Sequence, residues 1–361
     1  MAVSGWPPGS GPGYLGQSPS ASVRLPPSWL LVALRIAGRG RATRQSAGPP
    51  HRAWDMVFPA RRAVGCRYGG SSPGDARTPD FDVAHCPERI NPGDPKWNVY
   101  NIPRNIGSTN TKVTKRLADF YRSFVNAEIN EMPNLKTAEA TKIIENTFRD
   151  INIAFVNELA KSFDVLGIDL MAVIKGASNK PFAFMPHFPS CGVGGHCIPV
   201  DPYYLIERAK QSGFDHKFLK LAREINNSMP DYAINLLTKA LNEHEKPIKN
   251  TPIGLLGLSY KANVGDIRES PSVKLKNILL ERGAELLIYD PFFPDMCNTN
   301  SLDEILDKSY AILIATDHSE FKEITPEILN SHNVKVVIDG KNCLNKKIIK
   351  EAGIYYKGMG T

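Results

Sequence analysis

The chain has 361 residues, 42% of them hydrophobic and 22% charged, which is enough for two or three domains and a sizeable core. Its formal net charge of +7 lies wholly in residues 1–80, which hold ten Arg, three Asp and neither Lys nor Glu, so the remaining 34 basic and 34 acidic groups cancel. A balanced remainder gives no charge argument for nucleic acid or an anionic membrane, and neither is expected as a partner.

Residues 1–80 also lack Asn, carry one Ile and are dominated by Gly, Pro, Ser, Ala and Arg, whereas residues 81–361 carry every Lys. Such a switch points to a disordered or non-native extension that packs no core; a natural arginine-rich disordered tail is the alternative. Within it, Gly11-Pro12-Gly13-Tyr14-Leu15-Gly16 has the outline of a dinucleotide-binding glycine turn, with no strand before it and no helix after it. The run Trp29–Leu34 is too short to span a bilayer and lacks a signal-peptide cleavage context, so no membrane segment is read. The six cysteines, at 66, 86, 191, 197, 297 and 343, have neither CxxC pairing nor the density of a disulfide scaffold. No metal site is expected, and a reducing, cytoplasmic location fits best.

From Phe81 the pattern becomes regular. An extended Phe81–Ala84 leads into Cys86-Pro87-Glu88-Arg89, a loop through Pro92-Gly93 and a helical run near Lys115–Asn126, which reads over 81–134 as the tail of an α/β domain. A long helix is predicted from about Thr137 to Phe163, with Ile143, Ile144, Phe148, Ile151, Phe155 and Leu159 at roughly helical intervals and Gly167 as its stop. It forms the spine of a helical central domain over 135–245. On it Lys142 and Asn146 lie four residues apart and share a face; singly, each would ordinarily be solvated surface.

The loop Gly192-Val193-Gly194-Gly195-His196-Cys197-Ile198-Pro199-Val200-Asp201-Pro202 sets one thiol among glycines whose backbone can approach a ligand closely. Asp201 followed by Pro202 reads as an N-cap and first helical position, and the positive end of that helix is expected to lower the thiol pKa. A lone cysteine is most often a small buried hydrophobe, and the loop is what favours a nucleophile.

Residues 246–361 alternate strand and helix. Ile253–Leu258, Leu286–Tyr289, Ala311–Ala315 and Val334–Ile338 read as buried parallel strands, with helices at Val273–Arg282 and near Leu302. After the first strand come Tyr260-Lys261 and then Asp266-Ile267-Arg268-Glu269-Ser270-Pro271, in which Ser270 caps a helix. That helix start, flanked by Lys and Arg, is a natural phosphate site, with a solvated charged loop as the other reading.

Together Cys86-Pro87-Glu88-Arg89, Lys142 with Asn146, Gly194-Gly195-His196-Cys197-Ile198-Pro199 with Asp201, and Tyr260-Lys261 with Arg268-Glu269-Ser270-Pro271 resemble the nucleotide-sugar 6-dehydrogenases, the UDP-glucose/GDP-mannose dehydrogenase family. The likeness covers about residues 81–361 and leans to the UDP-N-acetylhexosamine branch rather than to UDP-glucose or GDP-mannose. It implies a remnant of a Rossmann domain, a helical central domain that forms a homodimer through its long helix, and a C-terminal parallel-sheet α/β domain that binds the nucleotide-sugar. It also implies NAD-dependent oxidation of a sugar C6 alcohol to the carboxylate through a thiohemiacetal and a thioester on Cys197, for polysaccharide precursor synthesis. By the resemblance Lys142 and Asn146 are donors to the oxyanion and water, Asp201 partners the base, and Glu88 activates water. Lys261 and Gly194 meet the substrate, and Arg268 meets the cofactor. The family's amino-terminal strand, glycine turn and ribose-binding acid have no counterpart here, so a second reading stands beside the first: a folded, catalytically inactive remnant that at most binds UDP-sugar.

Overall fold

The computed structural model describes residues 33–34, 82–91 and 94–361. A four-stranded sheet of order β1-β2-β3-β4 is built from β1 (Ala33–Leu34), β2 (Asp82–His85), β3 (Arg104–Ser108) and β4 (Ile129–Glu131). Strand β2 runs antiparallel to β1 and β3, and β3 runs parallel to β4. Helix α1 (Thr111–Arg122), capped by the Asn110 side chain, closes a small core of Ala84, Ile106, Val113, Leu117 and Ile129 against this sheet. Apart from the two residues of β1, what was expected of residues 1–80 lies outside the described residues.

Helix α2 (Leu135–Leu166) is 32 residues long, about 48 Å at 1.5 Å per residue. Asn134 caps its start by accepting the Thr137 N–H, and Gly167 ends it in the left-handed conformation (φ 68°). Its buried stripe differs from the one read in the sequence. Ile143, Thr147, Asp150, Ala154, Asn157 and Ala160 point inward, whereas Ile144, Phe148 and Phe155 are 61%, 47% and 55% exposed. The inward stripe is small and polar because α2 packs closely on α3 (Leu170–Ser178), α4 (Asp201–Gln211) and α5 (Phe218–Asn227); apolar periodicity followed the opposite, outward stripe.

The C-terminal sheet is wholly parallel, in the order β6-β5-β7-β8-β9. Its strands are β5 (Pro252–Leu256), β6 (Glu285–Tyr289), β7 (Ala311–Ile314), β8 (Val336–Asp339) and β9 (Tyr355–Gly358). Alternate residues feed two cores. Ile253, Leu255, Leu313, Val336 and Ile338 pack under α6 (Met229–Glu243) and α7 (Pro271–Glu281). Leu256, Ile312, Ile314 and Val337 pack under α8 (Leu302–Lys308), α9 (Pro326–Ser331) and α10 (Lys346–Glu351). Because α6 belongs to the first of these cores, that core crosses the boundary expected near residue 245. The order places β5 between β6 and β7, so the sheet's switch point lies at their carboxyl ends, where the 257–270 loop meets residues 315–319. Among the described residues no helix is long and apolar enough to cross a membrane.

Candidate active site

Four of the sequence-singled residues come together where α2 passes the amino terminus of α4. Asn146 donates through Nδ2 to Oδ2 of Asp201 at 2.5 Å, the Lys142 ammonium acts on that same carboxylate, and both Lys142 and Asp201 act on the Cys197 sulfur. The four-residue spacing of 142 and 146 puts both on the face that meets the thiol loop. Asp201, however, is not an N-cap. It is the first residue of α4, Val200 stands at the cap position, and the Asp201 side chain is turned to Asn146 instead.

The thiol is not lowered by the helix end. The Val200 and Asp201 N–H groups both donate to the Cys197 carbonyl, at 3.1 and 2.8 Å, so the backbone oxygen takes those donors and the sulfur does not. Burial pushes the Cys197 thiol above its ordinary value, the Asp201 carboxylate adds to this, and Lys142 and Arg268 oppose it. Burial likewise raises the Asp201 carboxyl, with the Asn146 hydrogen bond and Lys142 opposing. A neutral thiol beside a carboxylate of raised basicity is a proton donor next to its acceptor.

Labelling of Cys197 by iodoacetamide is therefore expected to be slow at neutral pH and to climb only above about pH 8.5, the ordinary thiol value. Asp201→Asn removes a negative charge beside the sulfur, lowers the thiol pKa and speeds labelling at neutral pH; Lys142→Met does the opposite. Peptide mass spectrometry reads the rates, and equal rates in all three proteins would mean that neither charge reaches the sulfur. Cys191, fully buried against Gly340 with its pKa pushed up to about 12, is expected to stay unlabelled in the folded protein.

The glycine loop is seated on the C-terminal domain. A side chain at Gly194 would come within 2.6 Å of Tyr260 Cβ, 2.9 Å of Pro271 Cδ and 3.0 Å of the Glu269 carbonyl, so the missing side chain lets the protein itself approach. Gly195, at φ 89°, donates its N–H to the Arg268 carbonyl at 2.9 Å. Helix α7 does begin at Pro271 with Ser270 as cap, but its first turn abuts Gly192 and Gly194 and Ser270 and Ser272 are buried; the phosphate site expected there is covered by the thiol loop. Arg268 is 60% exposed and turned onto Asp266 at 2.5 Å.

Glu88 and Lys261 stand outside the four-residue cluster, linked to it through the segment 88–91. Arg89 pairs with Glu145 of α2 at 2.8 Å, and Lys261 donates to Asn91 at 3.0 Å, so the Pro-Glu-Arg segment is held between helix and C-terminal domain. The Glu88 carboxylate is occupied by the Arg89 and Ile90 N–H groups at 2.7 and 2.8 Å and by Arg104 at 3.5 Å. Among the described residues, nothing bonds it to Cys197, Lys142, Asn146 or Asp201.

Sequence reading missed Arg149, which follows Lys142 by seven positions and so lies on the same face of α2. Its charge acts on Tyr260, and among the described residues it makes no hydrogen bond or ion pair. The 142, 146, 149 spacing was the available signal.

A thiol, a carboxylate, an amide and an ammonium are thus gathered beside a glycine loop that is seated on the C-terminal parallel-sheet domain. The chain belongs to the UDP-glucose/GDP-mannose dehydrogenase family: residues 136–228 match the family's central domain and residues 254–346 its UDP binding domain. UDP-N-acetyl-D-mannosamine dehydrogenase of Methanococcus maripaludis is 39% identical over 291 residues, covering 77% of this chain and 65% of the relative. UDP-N-acetyl-D-glucosamine 6-dehydrogenase of Pseudomonas aeruginosa is 35% identical over 254 residues, covering 69% and 60%. Among solved structures, the UDP-D-ManNAc dehydrogenase of Pyrococcus horikoshii matches with a TM-score of 0.72 at 37% identity, over 78% of this chain and 65% of that one. The chain thus spans about 65% of the length of the first of these relatives.

Proposed function

We propose that this chain carries the substrate-binding and covalent machinery of an NAD-dependent nucleotide-sugar 6-dehydrogenase, acting at the C6 of a UDP-N-acetylhexosamine. The observation that carries the reading is the convergence of Lys142 and Asp201 on Cys197, with Asn146 bonded to that same carboxylate. In this reading the Cys197 sulfur attacks the sugar carbon at the aldehyde level and Asp201 accepts the thiol proton. Lys142 and Asn146 donate to the oxyanion that forms, a tetrahedral centre held by preorganised donors. Were a hydride acceptor supplied to oxidise the thiohemiacetal to a thioester, Glu88 would serve the hydrolysis once its carboxylate is released from its own loop. Lys261, Tyr260 and the Gly194 loop hold the nucleotide end.

NAD is the hydride acceptor that the family implies. The connection from β3 to α1 is Thr109-Asn110, without glycine, and Arg268 is already bonded to Asp266. Among the described residues there is no strand, glycine turn and helix to cradle a dinucleotide pyrophosphate, so the residues do not fit the cofactor and no hydride step is assigned to them. This favours a second reading, in which the 361-residue chain binds UDP-sugar without turnover. The exposed Ile144, Phe148 and Phe155 stripe of α2 supports a homodimer through that helix.

UDP-N-acetylglucosamine is expected to protect Cys197 from iodoacetamide. Arg149→Ala is expected to raise the concentration needed by about tenfold, the cost of one charge-assisted contact to phosphate. Labelling indifferent to UDP-sugar at millimolar concentration would remove the substrate assignment.

A further inference from the structure

The arch from Gly257 to Asn263 carries Tyr260 and Lys261, and its position depends on a buried pair that the covalent chemistry never touches. His318 and Asp290 are 0% and 1% exposed. Asp290 follows β6 and His318 follows β7, so they flank the switch point on either side of β5. Oδ2 of Asp290 accepts the Leu258 N–H at 2.6 Å, the Ser259 N–H at 2.8 Å and the Ser259 hydroxyl at 2.9 Å, which fixes the near end of the arch. Its Oδ1 accepts the Phe292 N–H at 2.8 Å.

The far end is held by His318. The Asn263 N–H donates to Nδ1 at 3.0 Å, so Nδ1 carries no proton; the proton sits on Nε2, 3.2 Å from Asp290 Oδ2, and is donated there. Each ring nitrogen therefore has one defined role, and the carboxylate that grips one end of the arch also orients the ring that grips the other. Phe292 stacks on the imidazole at 5.2 Å and Phe321 meets it edge-on at 5.3 Å, so the ring is packed on its face and its edge. Asn263 is in the left-handed region (φ 57°), and its side chain exchanges two hydrogen bonds with Ser319, at 2.8 and 3.1 Å.

We propose that His318 is a positioning residue for the nucleotide-sugar site: by accepting the Asn263 N–H while donating to Asp290, it holds the arch that presents Tyr260 to the thiol loop and Lys261 to Asn91. The proposal rests on the reading of that arch as part of the substrate site.

Two substitutions separate the two nitrogens. His318→Asn offers an amide oxygen near the place of Nδ1, whereas His318→Gln offers a donor near the place of Nε2 and no acceptor for Asn263. Calorimetric titration with UDP, thermal unfolding and amide hydrogen exchange of residues 258–264 are measured on both and on the unsubstituted protein. His318→Gln is expected to lose about tenfold or more in UDP affinity and the protection of the Asn263 amide, while His318→Asn stays within about threefold at a similar unfolding temperature. Equal losses in the two variants, or unchanged binding and protection in His318→Gln, would overturn the proposal. If the unsubstituted protein binds no UDP, the functional reading fails, yet exchange at Asn263 in the unliganded variants still decides whether His318 holds the arch. Should both variants fail to fold, the unsubstituted protein decides: an Asn263 amide as slow as those of β5 supports the proposal, and one exchanging freely overturns it.

Discussion

Replacing Arg223 by alanine is expected to cost about 3–5 kcal/mol, a large share of the roughly 5–15 kcal/mol that holds a domain folded. Arg223 is 3% exposed and its partner Asp150 is 1% exposed, with 2.5 Å between Nη1 and Oδ1. Asn226 donates to the same carboxylate oxygen at 2.8 Å, Asn157 donates to Asn226 at 2.9 Å, and Asn157 accepts the Ser190 N–H at 2.9 Å. One buried polar chain thus ties α2 to α5 and to the segment that leads into the thiol loop. Burial already raises the Asp150 carboxyl, with Arg223 opposing; without Arg223 the folded state holds the proton more tightly still. The folded state then binds a proton that the unfolded chain has lost, so the variant's stability falls as pH rises from the unfolded value of about 4 through the folded one. Its deficit should be smallest near pH 4 and largest at neutral pH. The pair is not fully satisfied, since Asp150 Oδ2 and Arg223 Nε have no partner among the described residues. The double variant Asp150→Leu with Arg223→Met is accordingly expected to recover most of the loss. Urea midpoints of the single and double variants measure the coupling, and an Arg223→Ala cost below about 1 kcal/mol would show that the helices do not depend on the pair.

The C-terminal sheet was legible because each of its central strands is buried on both faces and reads as an unbroken apolar run. Strand β3 was not: Arg-Asn-Ile-Gly-Ser has one aliphatic residue, although all five positions are buried, with Arg104, Asn105 and Ser108 hydrogen-bonded inside the fold and Arg104 Nε left without a partner among the described residues. The long helix was found almost to its ends, 135–166 against an expected 137–163, since Asn134 and Gly167 cap it in the ordinary ways. Its facing was misread, because periodicity reports where apolar residues lie and not which stripe the fold covers. In the site, spacing along one helix brought out Lys142 and Asn146, and the glycine loop brought out Cys197. Asp290 and His318 carried no such signal. They are 28 residues apart in a segment of ordinary composition, and only the sheet order brings them together.

Titrated with UDP-N-acetylglucosamine and with NAD in turn, the chain is expected to bind the first saturably and the second not at all, and to form no NADH when given both. The two ligands lean on different parts of the fold. The contacts assigned to the nucleotide-sugar come from α2, the thiol loop and the arch after β5. All of these are present and tied together by Arg89 with Glu145, Lys261 with Asn91 and the Gly195 bond to Arg268. The contacts that a dinucleotide needs are a pyrophosphate seated on helical N–H groups and a carboxylate on the ribose hydroxyls. Each hydrogen bond to a charged group contributes roughly 1.5–3 kcal/mol. Losing two or three of them costs at least about 3 kcal/mol, so an affinity near micromolar would weaken by roughly a hundredfold or more. Calorimetry with each ligand and absorbance of the reduced cofactor decide the matter together. Saturable NAD binding would mean that a dinucleotide cradle exists outside the described residues, and turnover would make the chain a complete dehydrogenase. Binding of neither ligand would remove the nucleotide-sugar reading itself, leaving the buried ties between α2, α5 and the thiol loop as structure alone.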